Sequence, residues 1–258
     1  MKYYVVDAFS EKIFGGNPAG VCILDEPIEK ELMQQIAAEN NLSETAFVFE
    51  VADGYELKWF TPTAEVDLCG HATLATGHII ATMIHPGVKR MRFNTLSGIL
   101  EVEKQGELYR MNFPSRKPKL AMWTNDMEGA LGVKGKNVYL SRDLVIPLES
   151  EKMVQDLRPD FKKLAMLDRG MGVIVTARGE DVDFVSRCFY PKIGIDEDPV
   201  TGSAHAALAP FWSEILKKKV MVAKQLSQRG GMVYCEDQGE RVVISGKAST
   251  YLEGKIML

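Results

Sequence analysis

From Leu68 to Val88 the chain runs for 21 residues without an Asp, Glu, Lys or Arg. That is long enough to cross a bilayer as a helix. The run also holds three histidines, three threonines and a proline, a density of polar groups that a lipid-facing helix does not tolerate. It therefore predicts a helix over Leu74 to Ile84 that is apolar on every side and buried inside a folded domain. The run opens on Cys69-Gly-His71, and the first N–H groups of a helix have no partner within it and favour an anion. The device recurs at Asp198-Pro-Val-Thr-Gly-Ser-Ala-His-Ala-Ala-Leu-Ala-Pro-Phe-Trp212, a glycine turn leading into a second charge-free segment. Two buried helices with similar openings imply two similar half-proteins, with the chemistry expected in a crevice where the openings meet.

Spacing supports a duplication. Pro62 stands 8 residues before Gly70, and Pro191 stands 11 before Gly202. Gly70 to Gly98 is 28 residues and Gly202 to Gly231 is 29; the next glycine turns, at Gly106 and Gly239, each follow after 8. Each half is expected to be a mostly antiparallel sheet curled around its own buried helix, an α+β fold of two pseudo-symmetric lobes. The expected lobes are residues 1–117 and 118–258, divided in the proline- and lysine-rich stretch Pro114 to Asn125, with the last strand able to pair back onto the first lobe.

Local patterns fill in the elements. Strands are predicted at 2–8, 21–24, 45–49, 56–60, 90–94, 98–104 and 107–113, then at 137–140, 172–177 and near Phe184. An amphipathic helix after Pro27 should stop at Asn40-Asn41, where asparagine tolerates a left-handed conformation. A second helix is predicted at about Glu151 to Ala165. Hydrophobic residues make up 46% of the chain and charged ones 26%, which argues for a folded globular protein. A net charge of −4 without a basic block gives no support to nucleic-acid binding. Cys22, Cys69, Cys188 and Cys235 lie far apart with no Cys-x-x-Cys pair, so neither a zinc framework nor a disulfide scaffold is expected and a reducing cytoplasm is the natural setting. No phosphate loop, dinucleotide fingerprint or paired histidines occur; His71 and His78 are two helical turns apart. No metal and no cofactor are expected. Ser203 lies in no Gly-x-Ser-x-Gly elbow, which weighs against a serine hydrolase.

Several motifs occur together in one order: Asn17-Pro-Ala-Gly-Val21, Asn41-Leu-Ser-Glu-Thr-Ala-Phe-Val48, Phe60-Thr-Pro62, Cys69-Gly-His-Ala-Thr73, Asp198-Pro-Val-Thr-Gly-Ser-Ala204 and Ser227-Gln-Arg-Gly230. This order resembles the phenazine-biosynthesis PhzF-like family, within the diaminopimelate epimerase-like superfamily, over nearly the whole chain. The resemblance implies a cofactor-independent isomerase that shifts a proton on a small carboxylate-bearing substrate, and a possible homodimer with neither membrane nor nucleic acid as partner. It makes Glu44 the catalytic acid/base, His71 the active-site histidine and Asp198 a second carboxylate. Gly70, Gly202 and Ser203 match substrate-holding positions, with Ser43, beside Glu44, placed among them.

The chemistry of these residues fits such roles. Moving a proton between carbons calls for a group that both takes and gives it, and a partly buried carboxylate does so. The positive end of a helix is expected to lower the pKa of His71. Asp198 has a second reading as an N-terminal helix cap. Epimerases of the superfamily use a cysteine at each glycine turn, whereas the second turn here has Thr201, so a two-thiol mechanism is disfavoured. A single-cysteine racemase using Cys69, or a non-catalytic metabolite- or protein-binding member of the fold, are the alternatives.

Overall fold

The structure, a computed structural model, describes residues 1–134 and 137–258. The chain forms two compact units, Met1–Asn112 with Ser245–Leu258, and Phe113–Ile244.

In the first unit β1 (Lys2–Ala8) and β2 (Asn17–Leu24) pair antiparallel. Helix α1 (Lys30–Asn40) then leads to β3 (Glu44–Val51), parallel to β2. Strand β4 (Gly54–Phe60) returns antiparallel, with the short β5 (Glu65–Val66) on its end. Helix α2 (Gly70–Ile79) crosses over to β6 (Arg90–Thr95), parallel to β4, and β7 (Gly98–Gln105) and β8 (Leu108–Pro114) continue antiparallel. Helix α1 stops where Asn41 turns left-handed, at φ 50° and ψ 34°, its N–H donating to Ala37 O at 3.1 Å. This is the conformation expected of an asparagine stop.

The second unit begins with β9 (Lys119–Ala121) and α3 (Asn125–Leu131) and then repeats that order. Strands β10 (Val138–Leu140) and β11 (Leu144–Pro147) pair antiparallel. Short helices α4 (Glu151–Asp156) and α5 (Phe161–Ala165) lead to β12 (Val173–Arg178), parallel to β11. Strand β13 (Phe184–Tyr190) returns antiparallel and carries β14 (Ile195–Asp198). Helix α6 (Gly202–Leu216) crosses to β15 (Val220–Gln225), parallel to β13, and β16 (Gly231–Asp237) follows antiparallel. Strand by strand, the pairing directions match those of the first unit. β17 (Arg241–Gly246) leads into β18 (Ala248–Lys255), which pairs antiparallel with β1.

Each unit wraps its sheet around one apolar helix. In α2, every residue from His71 to Gly77 is buried, and the helix packs on β1, β2, β3, β7 and β18. Gly77 allows the close approach to β7, since a Cβ there would lie 2.8 Å from Val102 Cγ1. The helix starts earlier than expected, at Gly70, and its last turn widens into a π-helix over Ile80–Ile84. Helix α6 carries Pro210 in its interior. Proline cannot donate to the carbonyl four residues earlier, and Ala206 O instead accepts the Arg116 N–H at 2.9 Å. The single helix expected over 151–165 is two helices, because Pro159 cannot continue the first and its predecessor is pushed out of the helical region.

Two histidines of the buried helices are held neutral. His78 lies between the Tyr109 hydroxyl, at 3.0 Å, and Thr250 Oγ1, at 2.9 Å. His205 Nδ1 donates to Thr201 O at 2.8 Å, and its ring is fully buried against Phe184. Burial pushes both pKa values down to about 4, with Lys104 adding to the effect at His78. A folded-state pKa below the unfolded value means that stability is complete above about pH 6.5 and is lost as pH falls toward 4. At roughly 1.4 kcal/mol per pKa unit, His205 alone removes up to about 3 kcal/mol across that window. The urea midpoint should fall steeply between pH 6.5 and 4, and His205→Gln should flatten that dependence. An unchanged slope in the variant would show that His205 is not its source.

Candidate active site

The parallel register of β2 and β3 sets Ala19 beside Glu44, so Asn17, at the start of β2, lies near the first residue of β3. The start of α2 meets both. Glu44 Oε2 approaches His71 Nε2 at 3.1 Å, with their side chains only 14% and 8% exposed. The contact is an ion pair when His71 is protonated, and Glu44 acts on the ring through both its charge and a hydrogen bond. On the other side of the ring, Asn17 Nδ2 lies 3.3 Å from Nδ1. Cys69 Sγ lies 3.5 Å from Nδ1 and 4.0 Å from Nε2. Cys69 is the N-cap residue of α2 but makes no side-chain cap.

The pKa of His71 runs opposite to the sequence expectation. Burial alone lowers it, but Cys69 and Glu44 raise it well above the ordinary histidine value. The cause we assign is Glu44, because burial and the Glu44 charge push the Cys69 thiol up and keep it protonated. A full carboxylate charge at 3.1 Å outweighs the half-charge of a helix end. The Asn17 amide can serve either ring state: its NH₂ donates to a neutral Nδ1, and its carbonyl can accept from an imidazolium.

The second helix start is built differently. Thr201, not Asp198, is the N-cap residue of α6, and its hydroxyl donates to Asp198 Oδ2 instead of capping the helix. The Asp198 carboxylate is thus engaged by the residue at the N-cap position. Gln225, fully buried, holds the turn from the end of β15. Its Oε1 accepts from Thr201 N at 2.9 Å, and its Nε2 donates to Asp198 O at 2.7 Å. Ser227 Oγ donates to Pro199 O at 2.7 Å and accepts from Gly230 N at 3.0 Å. Gly202 is buried, while Ser203 and Asp198 are half-buried. Gln225→Ala should cost about 1–3 kcal/mol for each buried backbone group left unpaired, read as a lowered urea midpoint. A midpoint within error of wild type would show that the turn holds itself.

Glu44, His71, Ser43 and Gly70 are thus in the first unit, with Asp198, Gly202 and Ser203 in the second. Sequence reasoning missed Asn17 and Gln225 as site-building residues. Asn17 stood in a quoted motif, whereas nothing local marks Gln225. Reasoning from cysteine and histidine spacing also missed that Glu44, Cys69 and His71 offer three metal-type donor atoms within 4.8 Å of one another. No helix among the described residues is long and apolar enough to cross a membrane.

A family model described as phenazine biosynthesis-like protein matches residues 6–254. An uncharacterized isomerase of Pseudomonas aeruginosa is 47% identical, the match covering 100% of this chain and 99% of the relative. A crystal structure of a phenazine biosynthesis PhzF-family protein from Enterococcus faecalis superposes with a TM-score of 0.98 at 47% identity, covering 100% of this chain and 99% of that one. A predicted epimerase of P. aeruginosa shares the fold at 17% identity and a TM-score of 0.76, covering 100% and 99% of the two chains. A mixed α/β fold of this epimerase-like kind, in a chain whose near relatives are named isomerases, defines an isomerase. The chain belongs to the phenazine biosynthesis-like, or PhzF, family.

Proposed function

We propose that the protein catalyses a cofactor-independent proton shift on a small carboxylate-bearing metabolite, with Glu44 as general acid/base. The observation that carries this reading is the Glu44 carboxylate, whose side chain is only 14% exposed and whose Oε2 lies 3.1 Å from an imidazole at a helix start. Glu44 takes a proton from a substrate carbon, the electron pair moves into the adjoining unsaturated system, and the resulting carboxylic acid returns the proton to a different carbon. Atoms are conserved, and only the position of one hydrogen and the double bonds changes. His71 donates to the oxygen on which charge builds. The N–H groups at the start of α2, at Gly70, receive the substrate carboxylate, with Ser43 beside it.

The single-cysteine racemase is disfavoured because burial holds the Cys69 thiol above its ordinary pKa, away from the thiolate that such chemistry needs. The experiment is a screen of small amino and aromatic carboxylates for solvent deuterium incorporation by mass spectrometry. Exchange into at least one of them supports the reading; binding without exchange would instead indicate a metabolite-binding protein. Alkylation that abolishes exchange, together with a fully active Glu44→Gln variant, would favour the racemase.

A further inference from the structure

We infer that the first unit carries a second small-molecule site, at the far end of α2 from His71, built to take an α-amino acid with an apolar side chain. The inference is independent of the function proposed above.

Strand register builds the site. Lys2 pairs with Ile23, and Ile23 pairs with Val48. Directly paired residues project their side chains from the same face of a sheet. One cation and two apolar side chains therefore form a row across β1, β2 and β3. The row lines a cavity of about 310 Å³, with Ile80 and Ile84 from the end of α2 adding to its apolar lining. That volume lies at the lower end of the range for ligand pockets, about 300–1,000 Å³. Val48 and Ile80 are buried, so the floor is apolar and shielded from bulk water. Asp25 and Glu50, each two residues beyond a member of the row, stand at the rim.

The charges around the cavity select the ligand. Glu50 already has a partner, since its Oε2 meets His85 Nε2 at 3.2 Å. The side chains of Lys2 and Asp25 have no ion-pair or hydrogen-bond partner among the described residues. Sheet geometry sets their Cα atoms roughly 8 Å apart, one strand over and two residues along. One small zwitterion can reach both. Its carboxylate meets Lys2 Nζ, its ammonium meets the Asp25 carboxylate, and its side chain enters between Ile23, Val48, Ile80 and Ile84. A plain carboxylate leaves Asp25 unmatched, and a plain amine leaves Lys2 unmatched.

The backbone at this place is also unusual. The helix widens into its π-helical turn where Ile80 and Ile84 line the cavity, with His85 N donating to Ile80 O at 2.8 Å. Such turns are rare and are frequent at functional sites. His71 and Ile84 are separated by about 20 Å along the helix, so a ligand here does not touch the Glu44–His71 pair.

The test is equilibrium dialysis of the full chain against radiolabelled L-leucine. We expect one equivalent to bind saturably. Isocaproate, which lacks the ammonium, and isoamylamine, which lacks the carboxylate, should each compete at least about tenfold less well. Lys2→Gln and Asp25→Asn change exposed side chains and should each weaken leucine binding about tenfold in a folded protein. Ile84→Trp, which fills the cavity, should remove binding, and Glu44→Gln should bind leucine as the wild type does. No saturable binding up to about 10 mM leucine overturns the site. Binding unchanged in both Lys2→Gln and Asp25→Asn, or in folded Ile84→Trp, overturns it as well. Binding lost in Glu44→Gln would place leucine at the other end of the helix and overturn it too. Analogues that compete as well as leucine would overturn the assignment of an amino acid.

Discussion

Glu44→Gln should lower solvent deuterium incorporation into a true substrate by about 10²–10⁴-fold, the range assigned to a positioned acid/base, with substrate affinity nearly unchanged. Glutamine matches glutamate in size and keeps an acceptor beside His71, so the first strand of the site should keep its shape. What it lacks is the ability to hold and return a proton. A loss in kcat with little change in KM is the mark of an interaction made only in the transition state. Glu44→Asp supplies the control: it keeps the carboxylate but withdraws it by one methylene, and misplacement of about 1 Å costs roughly 10²-fold. If Glu44→Gln exchanged at the wild-type rate, Glu44 would be a structural partner of His71, and the acid/base would lie elsewhere.

The largest expected loss of stability lies in the second unit. Arg187 sits in β13 among buried residues, and its guanidinium grips Glu197 through two bonds, Nε to Oε1 at 2.7 Å and Nη2 to Oε2 at 2.9 Å. Nη1 also donates to Val154 O at 3.1 Å and Leu157 O at 2.7 Å, carbonyls at the C-terminal end of α4. The same group lies 5.1 Å from the centre of the Phe189 ring. One side chain thus neutralises a carboxylate, satisfies a helix end and covers an aromatic face. Arg187→Met preserves much of the volume but strands Glu197 and the carbonyls. Removing one partner of such a buried pair costs about 3–5 kcal/mol, and replacing both partners by apolar residues costs much less. For a chain of this size that is a fall of roughly 6–15 °C in thermal midpoint, with Arg187→Met/Glu197→Leu recovering part of it. A fall below about 2 °C would place the pair among exposed ion pairs of little consequence.

The parts of the fold that were legible in the sequence share one property: a local signal agreed with its tertiary setting. The charge-free run after Asp67 reads as a buried helix, and its helix is buried through most of its length, with Met83 exposed in the last turn. Asn41 had to turn left-handed to end α1, and it does. The glycine and proline intervals anticipated the matching strand order of the two units. Where local signals misled, a long-range charge or a backbone constraint prevailed. The helix dipole argued for a lowered His71 pKa, but a carboxylate from another strand reverses it. The pattern over 151–165 read as one helix until Pro159 divided it.

By itself the sequence determined the α+β repeat and the two buried helices, because periodicity is written along the chain, and the family resemblance of its ordered motifs made Glu44, His71 and Asp198 candidates. Only the tertiary structure decided what those residues touch. Strand register set Asn17 near Glu44, folding carried Gln225 24 residues back to the Thr201 turn, and the start of α2 met β3 to gather Glu44, Cys69 and His71 within 4.8 Å. These contacts join residues distant in sequence, and their energies depend on burial and separation, which no local pattern encodes.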